Sequence, residues 1–84
     1  MAKLVDVYGK TTCQDTNNVR GYLEEQGFEY GWHDIEESQA ERDHANDLSN
    51  GANRWPVVLV RNIVLVEPST DELAKAIETQ DDQE

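Results

Sequence analysis

The sequence is short of cysteine, of cations and of long apolar runs. Its single cysteine, Cys13, stands alone among 84 residues, which excludes an internal disulfide framework. Seven Lys and Arg face 18 Asp and Glu, for a formal net charge of −11. So few cations argue against nucleic acid or an anionic membrane as partner, because both need basic patches. No apolar run is long enough to span a bilayer, and no basic, apolar leader-type segment opens the chain. From these absences we expect a reducing, cytoplasmic setting. The acidic residues read as a solvated surface, a composition that would also suit a salt-rich cytoplasm.

What is present is enough for one small domain. A chain of this length buries roughly 60–65% of the surface its unfolded form exposes, so a modest core is feasible. "KLVDVYG", Lys3 to Gly9, alternates apolar and polar residues and reads as a first strand. From Thr12 to Gln26, Val19, Tyr22 and Leu23 recur at helical spacing, with Gly27 placed to end the helix. "FEYGWHDI", Phe28 to Ile35, reads as a second strand in which Phe28, Tyr30 and Trp32 pack. Ser38 and Glu41 form an S-x-x-E capping box that opens a helix running to about Ser49, stopped by Asn50-Gly51. "PVVLV" and "IVLV" flank Arg61-Asn62 and read as a hairpin. Glu67-Pro68-Ser69-Thr70 breaks the chain, and Ser69 or Thr70 caps a last helix. The final "TQDDQE" is polar, so residues 1–78 are expected to be the domain and 79–84 a frayed tail. The order β-α-β-α-β-β-α implies parallel pairing of the first two strands through a right-handed crossover. An α/β sandwich with a four-stranded mixed sheet and three helices follows.

The chemistry concentrates in "GKTTCQDT", Gly9 to Thr16. Cys13 lies where the first strand hands over to a helix. Helix N–H groups and the dipole favour an anionic sulfur there by about 0.3–1 kcal/mol. Asp15, two residues on, opposes a second negative charge unless it points to solvent. Thr16 lies one turn from Cys13. Its hydroxyl could donate to a Cys13 thiolate, or Thr16 could simply fill a semi-buried helix position. His33 and His44 make no recognised metal spacing with Cys13 and read as surface or strand-edge residues.

Four stretches in order, "VYGKTTC", "HDIEE", "NGANRWP" and "EPSTDELAKAI", resemble the glutaredoxin family over about residues 3 to 78, most closely its mycoredoxin-like branch. The resemblance implies a thioredoxin-like three-layer sandwich. The family's C-x-x-C has become Cys13-Gln14-Asp15-Thr16, and its T-V-P has become Arg54-Trp55-Pro56. Thr16 cannot resolve a mixed disulfide, so the implied enzyme is a monothiol oxidoreductase. It would reduce mixed disulfides between proteins and a low-molecular-weight thiol, mycothiol or glutathione, that serves as co-substrate with no bound cofactor or metal. Cys13 would be the nucleophile, and Lys10 matches a basic position kept beside the thiol. Pro56 matches the family's cis-proline, so that Trp55 would offer its backbone to the small thiol. The Trp55 indole would either wall the site or cover the core edge.

Relatives bind the charged end of the thiol at the last helix, which puts Ser69 and Thr70 at the substrate, although capping explains them equally; Arg54 would add a charge. Tyr8 lies near the active turn by the same analogy, with packing the simpler reading. The implied partners are disulfide-bearing proteins, met by a monomer. Two alternatives stay open: a binding module that has lost redox cycling, and an iron–sulfur carrier, disfavoured because Gln14-Asp15 replaces the glycine and aromatic of such carriers.

Overall fold

In the computed structural model, which describes residues 4–81, four strands and three helices follow the expected order. They are β1 (Val5–Gly9), α1 (Gln14–Glu25), β2 (Tyr30–Asp34), α2 (Gln39–Leu48), β3 (Val57–Val60), β4 (Ile63–Val66) and α3 (Thr70–Asp81). They build one sheet of order β2-β1-β3-β4. β1 pairs with β2 in parallel and with β3 antiparallel, and β3 pairs with β4 antiparallel. This is the thioredoxin-like architecture, with β1 in the interior and buried at every position but Asp6.

Strand alternation divides the apolar residues between two layers. Val5, Val7, Val58 and Val60 pack with Val19 and Leu23 of α1 and with Leu73, Ala76 and Ile77 of α3. On the other face Tyr8 and Val57 pack with Ile35, Ala45 and Trp55 beneath α2. The ten-residue α2 brings only Ala45 into full burial, so it covers its face less completely than α1 and α3 cover theirs. Phe28, Tyr30 and Trp32 pack against the first layer as expected. Beside edge strand β2, Arg20 of α1 lies 3.9 Å over the Trp32 ring and donates to the Tyr30 hydroxyl at 3.2 Å, and that hydroxyl donates to Glu24 at 2.5 Å.

The helix stops follow backbone chemistry. After α1, Gly27 takes φ +77°, its N–H donates to the Glu24 carbonyl and that of Phe28 to the Leu23 carbonyl. After α2, Asn50 takes the left-handed conformation at φ 58°, and the Gly51 N–H reaches the Asn46 carbonyl at 2.6 Å. Both are Schellman endings, in which a residue that tolerates positive φ satisfies the orphan carbonyls of the last turn. Asn50-Gly51 therefore stops α2 as its composition suggests.

The far end of the chain departs from expectation. α3 continues to Asp81 and Gln80 is buried, so Thr79 to Asp81 belong to the helix and not to a frayed tail. Residues 82–84 of that expected tail lie outside the described residues. The polar letters of "TQDD" concealed that position 80 lies one turn beyond buried Ala76 and Ile77 on the same helix face.

Candidate thiol site

β1 ends at Gly9 and the chain turns through Lys10-Thr11-Thr12 into α1. The Cys13 N–H donates to the Lys10 carbonyl at 3.1 Å, which closes the turn. From the first turn of α1, Asn17 Nδ2 donates to the Thr11 carbonyl at 2.9 Å and braces the loop. Cys13 is the N-cap of α1. Its backbone is extended (φ −90°, ψ 122°), and its carbonyl accepts from the Asn17 N–H at 3.0 Å. No side chain caps this helix start. The orphan N–H groups of the first turn therefore lack the serine or aspartate oxygen that would normally satisfy them. Cys13 is half-buried.

Close packing fixes α1 against the strand end. Thr16 is fully buried, and its side chain lies directly over Gly9. A β-carbon on Gly9 would stand 2.5 Å from Thr16 Oγ1 and 2.6 Å from Thr16 Cγ2. Glycine is required at position 9 because the helix comes this close, not because of its own torsion angles. The Thr16 hydroxyl has no hydrogen-bond partner. Thr16 is therefore packed against Gly9 and makes no bond to the Cys13 sulfur here.

Opposite the sulfur stands the Trp55-Pro56 peptide, which is cis. Cys13 Sγ lies 3.9 Å from the Trp55 carbonyl, within reach of a weak S–H donation. The Trp55 indole is 9% exposed and packs with Tyr8, Ile35, Ala45 and Val57. Trp55 meets Cys13 through its backbone, and its ring belongs to the core beneath α2.

The rim continues from Pro56 into the segment before α3. The Glu67 N–H donates to the Pro56 carbonyl at 2.9 Å, with Glu67 itself left-handed at φ 49°. Its carboxylate takes Arg54 Nε at 2.9 Å in an exposed pair, so Arg54 is not a free cation. Ser69 is the N-cap of α3: its Oγ accepts from the Glu72 N–H at 3.1 Å, while its own N–H donates to the Glu72 carboxylate at 2.8 Å. This is a complete capping box, which the sequence spells S-x-x-E. Thr70 lines a shallow groove with Asn17, Asn18 and Tyr22 of α1, so the starts of α1 and α3 are neighbours. Glu67 and Glu72 are the rim residues that sequence reading missed. The capping-box spacing could have found Glu72; nothing local points to the Glu67–Arg54 pair.

A second polar cluster lies away from the sulfur on the α2 face. His33 Nε2 is 3.0 Å from Asp6 Oδ1, and His33 Nδ1 meets Glu41. Tyr8 stacks on the His33 ring with centroids 4.3 Å apart. Burial, and after it the carboxylates of Asp6 and Glu41, push the Tyr8 phenol up to about 12, so it stays neutral through the physiological range. Tyr8 is a packing residue. His33 sits on edge strand β2 and His44 is exposed, as expected for both. Among the described residues, no group of three or more His, Cys, Asp and Glu is arranged to hold a metal ion. Nor is any helix long and apolar enough to cross a membrane.

Comparison with known proteins places this arrangement. The model of the glutaredoxin family matches residues 5–64. The glutaredoxin Grx-1 of Archaeoglobus fulgidus superposes with a TM-score of 0.78 at 19% identity, over 89% of this chain and 86% of that one. A thioredoxin-like protein solved as a point variant gives 0.81 at 18% identity, over 92% and 97% of the two chains. The same protein in a second crystal structure gives 0.77 at 18% identity, over 86% and 97%. At such identities these neighbours show the fold. No curated protein sequence matches the chain.

Proposed function

The chain belongs to the glutaredoxin family, a family of thiol–disulfide chemistry, and from that premise we propose a monothiol oxidoreductase. It reduces mixed disulfides between proteins and a low-molecular-weight thiol, mycothiol or glutathione. One observation carries this reading: a half-buried, uncapped Cys13 at the start of α1, with Sγ 3.9 Å from the Trp55 carbonyl.

The Cys13 thiolate attacks the small-thiol sulfur of a protein mixed disulfide. A Cys13–small-thiol disulfide forms, the old sulfur–sulfur bond breaks, and the protein leaves as a thiolate that takes up a proton. A second small thiol attacks that sulfur, restores the Cys13 thiolate and leaves as the symmetrical disulfide. One free small thiol is consumed per turn: the protein sulfur goes from disulfide to thiol, the incoming thiol goes from thiol to disulfide, and the small-thiol sulfur taken from the mixed disulfide supplies the other half of the symmetrical disulfide. With Thr16 at the fourth motif position, the second thiol must come from solution. First-turn N–H groups of α1 and the Lys10 ammonium stabilise the thiolate in each half. The backbone of Trp55 beside Pro56 receives the extended small thiol by main-chain pairing. Ser69 and Thr70 form the far rim, with Arg54 at its side. The protein works as a cytoplasmic monomer.

Exposure to oxidised glutathione or mycothiol disulfide, followed by intact-mass analysis, tests this. One small-thiol adduct on Cys13, discharged by excess reduced thiol, is the expected result. A Cys13 that forms no adduct with either disulfide would overturn the proposal and favour a binding module of the same fold.

A further inference from the structure

His33 stands between two acids. On the α2 face of the sheet, Asp6 lies over Gly31, its neighbour on β2, so closely that no β-carbon fits there. From that seat Asp6 Oδ1 reaches His33 Nε2 at 3.0 Å, while His33 Nδ1 meets Glu41 at the start of α2. A neutral imidazole carries one N–H and can donate to only one of these carboxylates; the charged ring carries two and donates to both. Tyr8 stacks on the same ring, with centroids 4.3 Å apart, and a phenol face favours a cation over it. Among the described residues, the other titratable groups beside this cluster are His44 of α2 and Asp34 of β2. The His44 ring lies 5.7 Å from that of Tyr8, and the Asp34 carboxylate is turned to the N–H groups of Glu36 and Glu37. The His33 side chain is 25% exposed, so its proton exchanges with water.

We propose that the proton on His33 controls how α2 is held on the sheet, and through α2 the seat of the Trp55 carbonyl beside Cys13. The charged ring ties β1 and β2 to Glu41. Without the proton, two carboxylates face a ring that can satisfy only one of them. Glu41 then has another place to go. It closes the S-x-x-E box opened by Ser38, whose N–H now donates to the Asp34 carbonyl at 3.2 Å. In the matching box of α3, Glu72 folds back onto its own cap N–H at 2.8 Å. Ala45 is the only residue that α2 buries fully, so little apolar packing stands in for the lost tie. Ala45 shares its layer with Tyr8, Ile35, Val57 and the Trp55 indole, which makes His33 a positioning residue for the thiol site. The hold tightens as pH falls and slackens as pH rises through the histidine range. The link to exchange rests on the proposed function; the hold on α2 does not.

Urea unfolding at pH 5.5 and pH 8, near the two ends of the histidine range, tests the hold. The folding constant should fall about two- to tenfold between them, the scale of two partly exposed ion pairs. In 1 M salt the fall should shrink, because the charges are screened. His33→Gln should abolish the fall and Glu41→Gln should at least halve it. His44→Gln loses a histidine outside both contacts and should keep it. A folding constant that does not fall, a fall that survives His33→Gln or Glu41→Gln, or one that His44→Gln removes as well, overturns the proposal. The thiol site is read separately, as the rate of Cys13 adduct formation with glutathione disulfide in His44→Gln divided by that in His33→Gln. Each variant lacks one histidine and keeps the thiol, so net charge and the titration of Cys13 cancel. The ratio should be about two- to threefold at pH 5.5, where only one variant keeps the competent arrangement populated, and close to one at pH 8. A ratio that ignores pH overturns the positioning role. No adduct with either variant overturns the exchange reading instead, and the unfolding result alone then decides the hold on α2.

Discussion

Two helix starts meet at this site, and they are built in opposite ways. α3 begins at Ser69 with both halves of a capping box in place, Ser69 Oγ to the Glu72 N–H and Glu72 to the Ser69 N–H. α1 begins at Cys13 with no side-chain cap. A capped start is stable and electrostatically spent. An uncapped one costs about 1 kcal/mol of helix stability and leaves N–H groups free to act on whatever stands there. The thiol occupies the open terminus, and the closed one stands beside it.

Cys13→Ser is the strongest test of this contrast. Intact mass with small-thiol disulfides should show complete loss of adduct. The same variant supplies a good N-cap, so its melting temperature should rise rather than fall. A gain of up to about 1 kcal/mol corresponds to roughly 4–8 °C for a domain of this size. A lowered melting temperature would mean that the α1 start is not limited by its missing cap.

Next in size is the wedge beneath α1. Gly9→Ala drives a methyl into Thr16 and should destabilise by about 1–3 kcal/mol in chemical denaturation, as overpacking does. Combining it with Thr16→Ser, which removes the methyl that crowds position 9, should recover part of the loss. Strict additivity of the two changes would show that the contact is not what fixes glycine there.

Ser69→Ala should cost about 1 kcal/mol, the usual effect of removing a capping hydroxyl. Thr16→Val should have the smallest effect, a gain below about 1 kcal/mol, since it replaces an unpartnered buried hydroxyl by a methyl of similar shape. Equilibrium unfolding reads both. A loss of stability in Thr16→Val would show that the hydroxyl has found a partner, and the Cys13 sulfur would be the first to examine.

The same four-letter pattern also marks what sequence reading can and cannot reach. Ser38-x-x-Glu41 and Ser69-x-x-Glu72 both open helices, and both serines accept from the N–H three residues on. Helix starts, the Asn50-Gly51 stop and the hairpin about Arg61-Asn62 were legible because neighbouring residues decide them. The destination of the glutamate was not. Glu72 returns to its own cap, whereas Glu41 turns away to His33 on β2, a residue eight positions back. Pairing across the fold likewise decides that Arg54 is matched by Glu67 and that the Trp55 indole enters the core. Cys13 and the strand–helix junction around it could be read from local pattern; its electrostatic surroundings depend on side chains that meet only when the sheet has formed.

The packing of Thr16 over Gly9 has an evolutionary corollary. The space at position 16 is fully enclosed, close to the size of a cysteine, and asks for no hydrogen bond, which suits a thiol better than a hydroxyl. Thr16→Cys should therefore fold without repacking and place a second sulfur one helical turn from the first, as thiol counting and a melting curve would establish. A single substitution separates the one-thiol protein from a two-thiol one, so passage in either direction crosses no barrier of fold.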